Sequence, residues 1–143
     1  GNSSAALGLL RLAALTGDGR YEDWAVGALR LFAPAATRHP EAFGHLLQAL
    51  DFHLSPTREV ALVAPAQDAA PGRPPSALDE LARVVRSRHR PHLVLAGAAE
   101  GADEPELLRE RRAVSGEPAA YVCERFACRA PVTTSAELEA SLG

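Results

Sequence analysis

The chain has 143 residues, 47% of them hydrophobic and 23% charged, with a net charge of −3. That length suits one ordinary domain whose core buries roughly 70% of the unfolded chain's surface, and the slight acidity argues against a general polyanion binder. No window approaches the ~18 unbroken apolar residues that a membrane span needs, and two cysteines are too few for a secreted disulfide framework.

The N-terminal stretch GNSSAALGLLRLAALTG is apolar, but it has no basic start and Arg11 interrupts it. It reads as a buried helix and not as a signal peptide. Asn2, Ser3 or Ser4 supplies its N-cap, and Gly17-Asp18-Gly19 stops it. Leu7, Leu9, Leu10, Leu12 and Leu15 occupy most of its circumference, which predicts burial on several sides. A second helix starts near Tyr21, where Tyr21, Trp24, Ala28, Leu31 and Ala35 make an apolar stripe at helical spacing. Pro34 is expected to kink or end it, having no N–H for the carbonyl four residues earlier. Pro40 opens a third helix at its first position. Its expected inner face is Phe43, Leu46, Leu47, Leu50 and Leu54, and Ser55-Pro56 closes it.

The pattern changes after residue 56. A short apolar run at 59–63 reads as a strand, followed by a flexible proline-rich loop at 67–76. Leu78, Leu81 and Val85 then mark one face of a helix that Pro91 ends. A second strand is expected at 92–96, an acidic loop and a short helix around Leu107 and Leu108 follow, and a third strand is expected at 119–123. Thr134 or Ser135 caps a last helix carrying Leu138 and Leu142. Short continuous apolar strands alternating with helices predict a parallel sheet covered on both faces. The expected fold is therefore α/β with an all-α N-terminal part: three helices over 1–56, then a small three-stranded parallel α/β unit over 57–143. Three helices with such wide apolar faces cannot cover one another, so the chain is expected to pack against another part of its own protein or another subunit.

Cys123 and Cys128 are the chemically distinctive pair. Their C-x4-C spacing differs from the C-x-x-C of thioredoxin-like redox sites. If the chain turns back after Cys123, the two Cα atoms come within about 6 Å, close enough for a disulfide. Arg125 and Arg129 lie near in sequence and favour a thiolate. Two readings stand: a reversible disulfide, or two reduced thiols packed at a strand end. A metal site is not expected, because none of His39, His45, His53, His89 and His92 supplies a second ligand pair near the cysteines. Arg83, Arg86, Arg88 and Arg90 form a local basic patch that reads as a solvated helix face, without the aromatic platform of a nucleic-acid site. The carboxylates of the helical half, Asp18, Glu22, Asp23, Glu41 and Asp51, make no recognisable catalytic pair. No phosphate-binding glycine loop or nucleophile elbow is present, and no cofactor is expected.

GNSSAALGLLRLAALTGD, REVALVAP, RHRPHLVLAG and above all AYVCERFACRAPVTTSAEL resemble the C-terminal end of the thioredoxin domain-containing proteins related to spermatogenesis-associated protein 20. The last stretch is similar to that family's terminal A-Y-V-C-x4-C-x2-P-V-T pattern, and GNSS to its S-G-N-S opening of a late helix. The resemblance implies a long protein with a thioredoxin-like domain, an α/α toroid similar to six-hairpin glycosidases and N-acylglucosamine 2-epimerases, and a terminal α/β segment. The three helices here would then be the end of the toroid. The absence of Met reads as a chain that does not begin at a natural start. The absence of Lys and Ile in an Ala- and Arg-rich chain reads as a GC-rich bacterial source, with the cytoplasm as the expected compartment. The expected role is a structural and interaction module with a secondary redox-sensitive pair at Cys123 and Cys128. The alternative is a part of a sugar-processing toroid enzyme.

Overall fold

The computed structural model describes residues 2–70, 72 and 75–143; the side chain of Asn2, one of the expected caps, and part of the 67–76 loop lie outside them. Among the described residues the chain forms α1 (Asn2–Thr16), α2 (Gly19–Arg38), α3 (Gly44–Leu54), β1 (Arg58–Ala64), α4 (Asp79–Arg86), β2 (Leu93–Ala99), β3 (Ala119–Glu124), β4 (Ala127–Cys128) and α5 (Ser135–Leu142). Short 3-10 turns include Pro40–Ala42 and Glu106–Leu108. The architecture is mixed α/β: three N-terminal helices, then a four-stranded mixed sheet with two further helices.

The strand order is β2-β1-β3-β4. β1 and β2 are parallel, from Arg58 opposite Leu93 to Ala64 opposite Ala99, with α4 in the connection between them. The expectation of an all-parallel sheet fails at β3, which runs antiparallel to β1 with Glu59 opposite Cys123 and Val63 opposite Ala119. The reason is the connection. A parallel return must carry the chain back to the far end of the sheet, usually through a helix. Residues 100–118 hold no α-helix, only the Glu106–Leu108 turn and a tight turn bridged between Val114 and Glu117, so the chain stays at the end where β2 finished and enters β3 from there. A fourth strand, β4, arises because the chain reverses directly after β3.

β1 is buried from Glu59 to Ala64, and its alternating side chains divide the core in two. Val60, Leu62 and Ala64 meet Leu81 and Val85 of α4, Leu138 and Leu142 of α5, and Ala120 and Val122 of β3. Ala61 and Val63 face the other way, toward Leu10, Leu29, Phe52 and Leu107. The helical half thus covers one face of the sheet, and α4 with α5 covers the other. Leu107 and Leu108 are buried in a single 3-10 turn instead of the expected short helix.

The helical half differs from expectation in its rotation. On α2 the buried residues are Ala25, Leu29 and Ala36, one position along from the Trp24-Ala28-Leu31-Ala35 stripe. On α3 they are Leu46, Ala49 and Phe52, while Leu47, Leu50 and Leu54 of the expected inner face are exposed. On α2 the inward side is mostly alanine, which lets its backbone approach its neighbours closely; on α3 Leu46 of the expected face stays inside with Phe52, and Leu47, Leu50 and Leu54 are left outside. α1 packs against α2, α3, β2 and the Glu106–Leu108 turn; of its expected buried leucines Leu10 is in the core, Leu7, Leu9 and Leu15 are partly buried, and Leu12 is exposed. It begins at Asn2, so Ser3 and Ser4 lie inside its first turn and do not cap it.

Pro34 does not end α2, which continues to Arg38. Pro34 and Arg30 are both exposed, so the carbonyl left without its helical donor faces water, while Ala36 anchors the last turn. Two helix starts, those of α2 and α5, are capped by side chains. Asp18 accepts the Arg20 N–H at the start of α2, and Thr134 forms a capping box with Glu137 at α5. Arg58 donates to the carbonyl of Leu142 at 2.6 Å, closing α5 and tying it to β1. Replacing the fully buried Leu107 by alanine is expected to cost about 2–5 kcal/mol of unfolding free energy in a denaturant titration. Leu31→Ala, on the exposed side of α2, should stay within about 0.5 kcal/mol in the same titration.

Candidate functional site at the disulfide hairpin

The hairpin joining β3 to β4 turns through Arg125 and Phe126, both with positive φ, 50° and 62°. Two such residues in a row suit the loop that joins right-twisted strands, where Asn and Gly are the usual occupants. A non-glycine residue in this region costs roughly 1–2 kcal/mol, so the turn has to be held. Glu59 supplies one restraint. Its carboxylate, on the neighbouring β1, accepts the Phe126 N–H at 2.7 Å. The cysteines supply another. Cys123 and Cys128 stand opposite each other in register, and their sulfurs are bonded, with an S–S distance of 1.96 Å and a Cα–Cα separation of 3.9 Å.

Glu59 is 3% exposed, an unusual place for a carboxylate. Desolvation pushes its pKa above the ordinary value, the backbone N–H groups of the turn oppose that shift, and the nearby Glu124 adds to it. Phe126 folds back over the α1–α2 turn. There Gly17 has a φ of +70°, and a Cβ on it would meet the Phe126 ring at 3.4 Å. A cleft of about 590 Å³ lies between that turn, the segment after α3 and the hairpin. Asp18, Glu22, Glu59 and Glu124 all line it. Three of them are occupied: Asp18 by Arg20 at 2.6 Å, Glu22 by His53 at 3.4 Å, and Glu59 by the turn.

The two sulfurs sit in different surroundings. Cys123 is 2% exposed and belongs to the core, whereas Cys128 is half-buried. Arg111, in the segment before β3, places Nη2 at 3.0 Å from Cys128 Sγ. Its guanidinium also lies 5.3 Å from the centre of the Tyr121 ring, within cation–π range. Tyr121 is fixed in turn, donating its hydroxyl to the Arg112 carbonyl at 2.7 Å.

Comparison with models of protein families, with curated proteins and with solved structures finds no match to this chain. Its chemistry therefore has to be argued from the hairpin itself. The structure brings Cys123 and Cys128 together as a bonded pair. Among the described residues no group of three or more His, Cys, Asp and Glu side chains is placed to hold a metal ion. No helix among them is long and apolar enough to cross a membrane. In the basic patch, Arg90 donates to the Val85 carbonyl at the end of α4 at 2.9 Å, and Arg88 pairs with Glu139 at 3.0 Å. Since α4 ends at Arg86, Arg90 lies beyond the helix face expected to carry it with Arg83 and Arg86.

Sequence reasoning passed over Glu59 and Arg111. A carboxylate opening an otherwise apolar strand was a usable signal for Glu59. Arg111, one of three arginines in RERR, had none. The raised pKa of Glu59 has a stability consequence with a definite sign. The folded protein holds this proton more tightly than the unfolded chain, so the contribution is present below the ordinary value of 4.5 and declines as pH rises through the folded-state value. Stability of the native protein relative to Glu59→Gln should therefore fall between pH 4.5 and neutrality, as read from denaturation midpoints across that range.

Proposed function

We propose that this chain is the C-terminal structural and interaction module of a multidomain thioredoxin-like protein, of the kind its terminal motif resembles. Cys123 and Cys128 are its secondary redox-sensitive pair. The observation that carries the reading is the apolar outer side of the helical half. Trp24 is 59% exposed, and Leu31 and Leu54 are each 72% exposed. A groove between α2 and α3, lined by Leu29, Ala33, Leu47 and Leu50 among others, adds further apolar surface. Apolar surface of this kind on packed helices commonly marks a contact. The partner proposed is the remainder of the chain's own full-length protein, the preceding helices of a toroid, or another subunit.

The bonded hairpin supports the redox part of the reading. Cytoplasmic conditions keep most thiols reduced, so in that compartment the disulfide is a transient product and the dithiol the resting form. A sugar-processing role draws less support. It needs two carboxylates free to converge on a bond, and Asp18, Glu22 and Glu59 are each held by a partner within the chain.

Co-expression with the polypeptide encoded immediately upstream tests the interaction. A complex is expected on size-exclusion chromatography, and Leu31→Glu with Leu54→Glu should dissolve it while leaving the melting of the isolated chain unchanged. A complex that survives both substitutions defeats the reading. Alkylation followed by mass spectrometry tests the cysteines. Both should label only after reduction and become protected again in oxidised glutathione; full labelling under mild oxidising conditions rules out the reversible bond.

A further inference from the structure

The disulfide hairpin is electrically lopsided. Arg111 aims a guanidinium N–H at Cys128 Sγ from 3.0 Å, and its Nε is buried without a hydrogen-bond partner. Among the described residues no carboxylate lies within ion-pair distance of it. Its neighbours Arg109 and Arg112 have Glu106 at 2.7 Å and Glu100 at 4.0 Å. A half-buried cation beside a disulfide sulfur, a weak acceptor, has only the Tyr121 ring as further compensation. A thiolate at the same place would supply the missing negative charge and a strong acceptor. Cys123 has no such neighbour; it is enclosed by the core, where burial disfavours a thiolate.

We propose that Arg111 is the counter-ion of a Cys128 thiolate, which makes Cys128 the nucleophilic sulfur of the pair and Cys123 the resolving one. The inference rests on the reading of a reversible disulfide. The co-reactant is a low-molecular-weight disulfide, R–S–S–R′. The Cys128 thiolate attacks one of its sulfurs, the S–S bond of the reagent breaks, and R′–S⁻ leaves with the electron pair. Cys123 then gives its proton to solvent and attacks Cys128 Sγ, forming the Cys123–Cys128 bond and releasing R–S⁻. The protein dithiol is oxidised by two electrons and the reagent is reduced to two thiols. By stabilising the thiolate, Arg111 also favours the dithiol and makes the disulfide the stronger oxidant.

Other charges surround the hairpin. Glu59 on β1 is engaged by the Phe126 N–H, and the Glu106–Arg109 pair is internally neutral. Glu124, Arg125 and Arg129 are exposed and screened by solvent. The Tyr121 hydroxyl is taken up by Arg112. Arg111 is the cation in contact with the sulfur.

The two cysteines are the only ones in the chain, so Cys123→Ser leaves Cys128 as the sole thiol. Its alkylation rate by iodoacetamide across pH should titrate below the ordinary value of about 8.5. Adding Arg111→Gln should raise that apparent pKa by about one unit or more and slow alkylation at neutral pH about tenfold. Arg111→Lys should retain most of the acceleration, and with Cys128→Ser the rate of Cys123 should not respond to residue 111. A Cys128 rate unchanged within about twofold by Arg111→Gln, in variants whose circular dichroism matches the parent, overturns the proposal. So does a loss with lysine equal to that with glutamine. A glutathione redox titration of the native pair reports separately on reversibility: failure there sinks the redox reading, while the rate comparison still decides the role of Arg111.

Discussion

The burial of β1 on both faces is the constraint around which the rest of the chain is arranged. Val60, Leu62 and Ala64 point to one layer of helix and Ala61 and Val63 to the other. β2 and β3 satisfy its backbone on either side. A strand placed this way has no solvent face, which is why its sequence is nearly continuous in apolar residues. The exception is Glu59. It stands at the start of the buried run and opposite Cys123, so the one buried polar side chain of the strand is delivered to the hairpin that needs an acceptor.

That placement joins the fold to its chemistry. The Arg125-Phe126 turn is held from below by a carboxylate and from the side by a sulfur bridge, and Phe126 in turn covers the Gly17 corner of the helical half. Strand, hairpin and helix corner are thereby mechanically connected. The burial of Glu59 is tolerated because the Phe126 N–H donates to it, an arrangement that exchanges water for a fixed donor. The asymmetry between a core-enclosed Cys123 and a guanidinium-contacted Cys128 follows from the same geometry. One cysteine belongs to the central part of the sheet, the other to its edge.

The helical half shows how composition can mislead about orientation. α2 and α3 each carry more apolar residues than one buried face can hold. Spacing alone picks a stripe through Trp24 and Leu31 on α2 and through Leu46, Leu50 and Leu54 on α3. Packing instead turns Ala25, Leu29 and Ala36 inward on α2, and Leu46, Ala49 and Phe52 on α3. The leucines and Trp24 left outside are therefore a consequence of the internal packing. They give the module its apolar outer surface.

Much of the secondary structure was legible in the sequence. The strands at 59–63, 92–96 and 119–123 lie within a residue or so of β1, the start of β2 and β3, and the Thr134 cap is where the motif placed it. These features are local, set by apolar runs, turn residues and side-chain caps within a few positions of each other. The cysteine pair was legible as well, since five residues of separation and a strand end bring the two sulfurs close. What only the tertiary structure decided depends on contacts between distant segments. The antiparallel sense of β3 follows from a connection too poor in helix to cross the sheet. The inward side of α2 and α3 follows from close packing, and the meeting of Glu59 with a turn sixty-seven residues later follows from strand register. Arg111 against Cys128, seventeen residues apart, belongs to the same class: no periodicity in RERR marks one arginine over its neighbours, and only the path of the chain into β3 selects it.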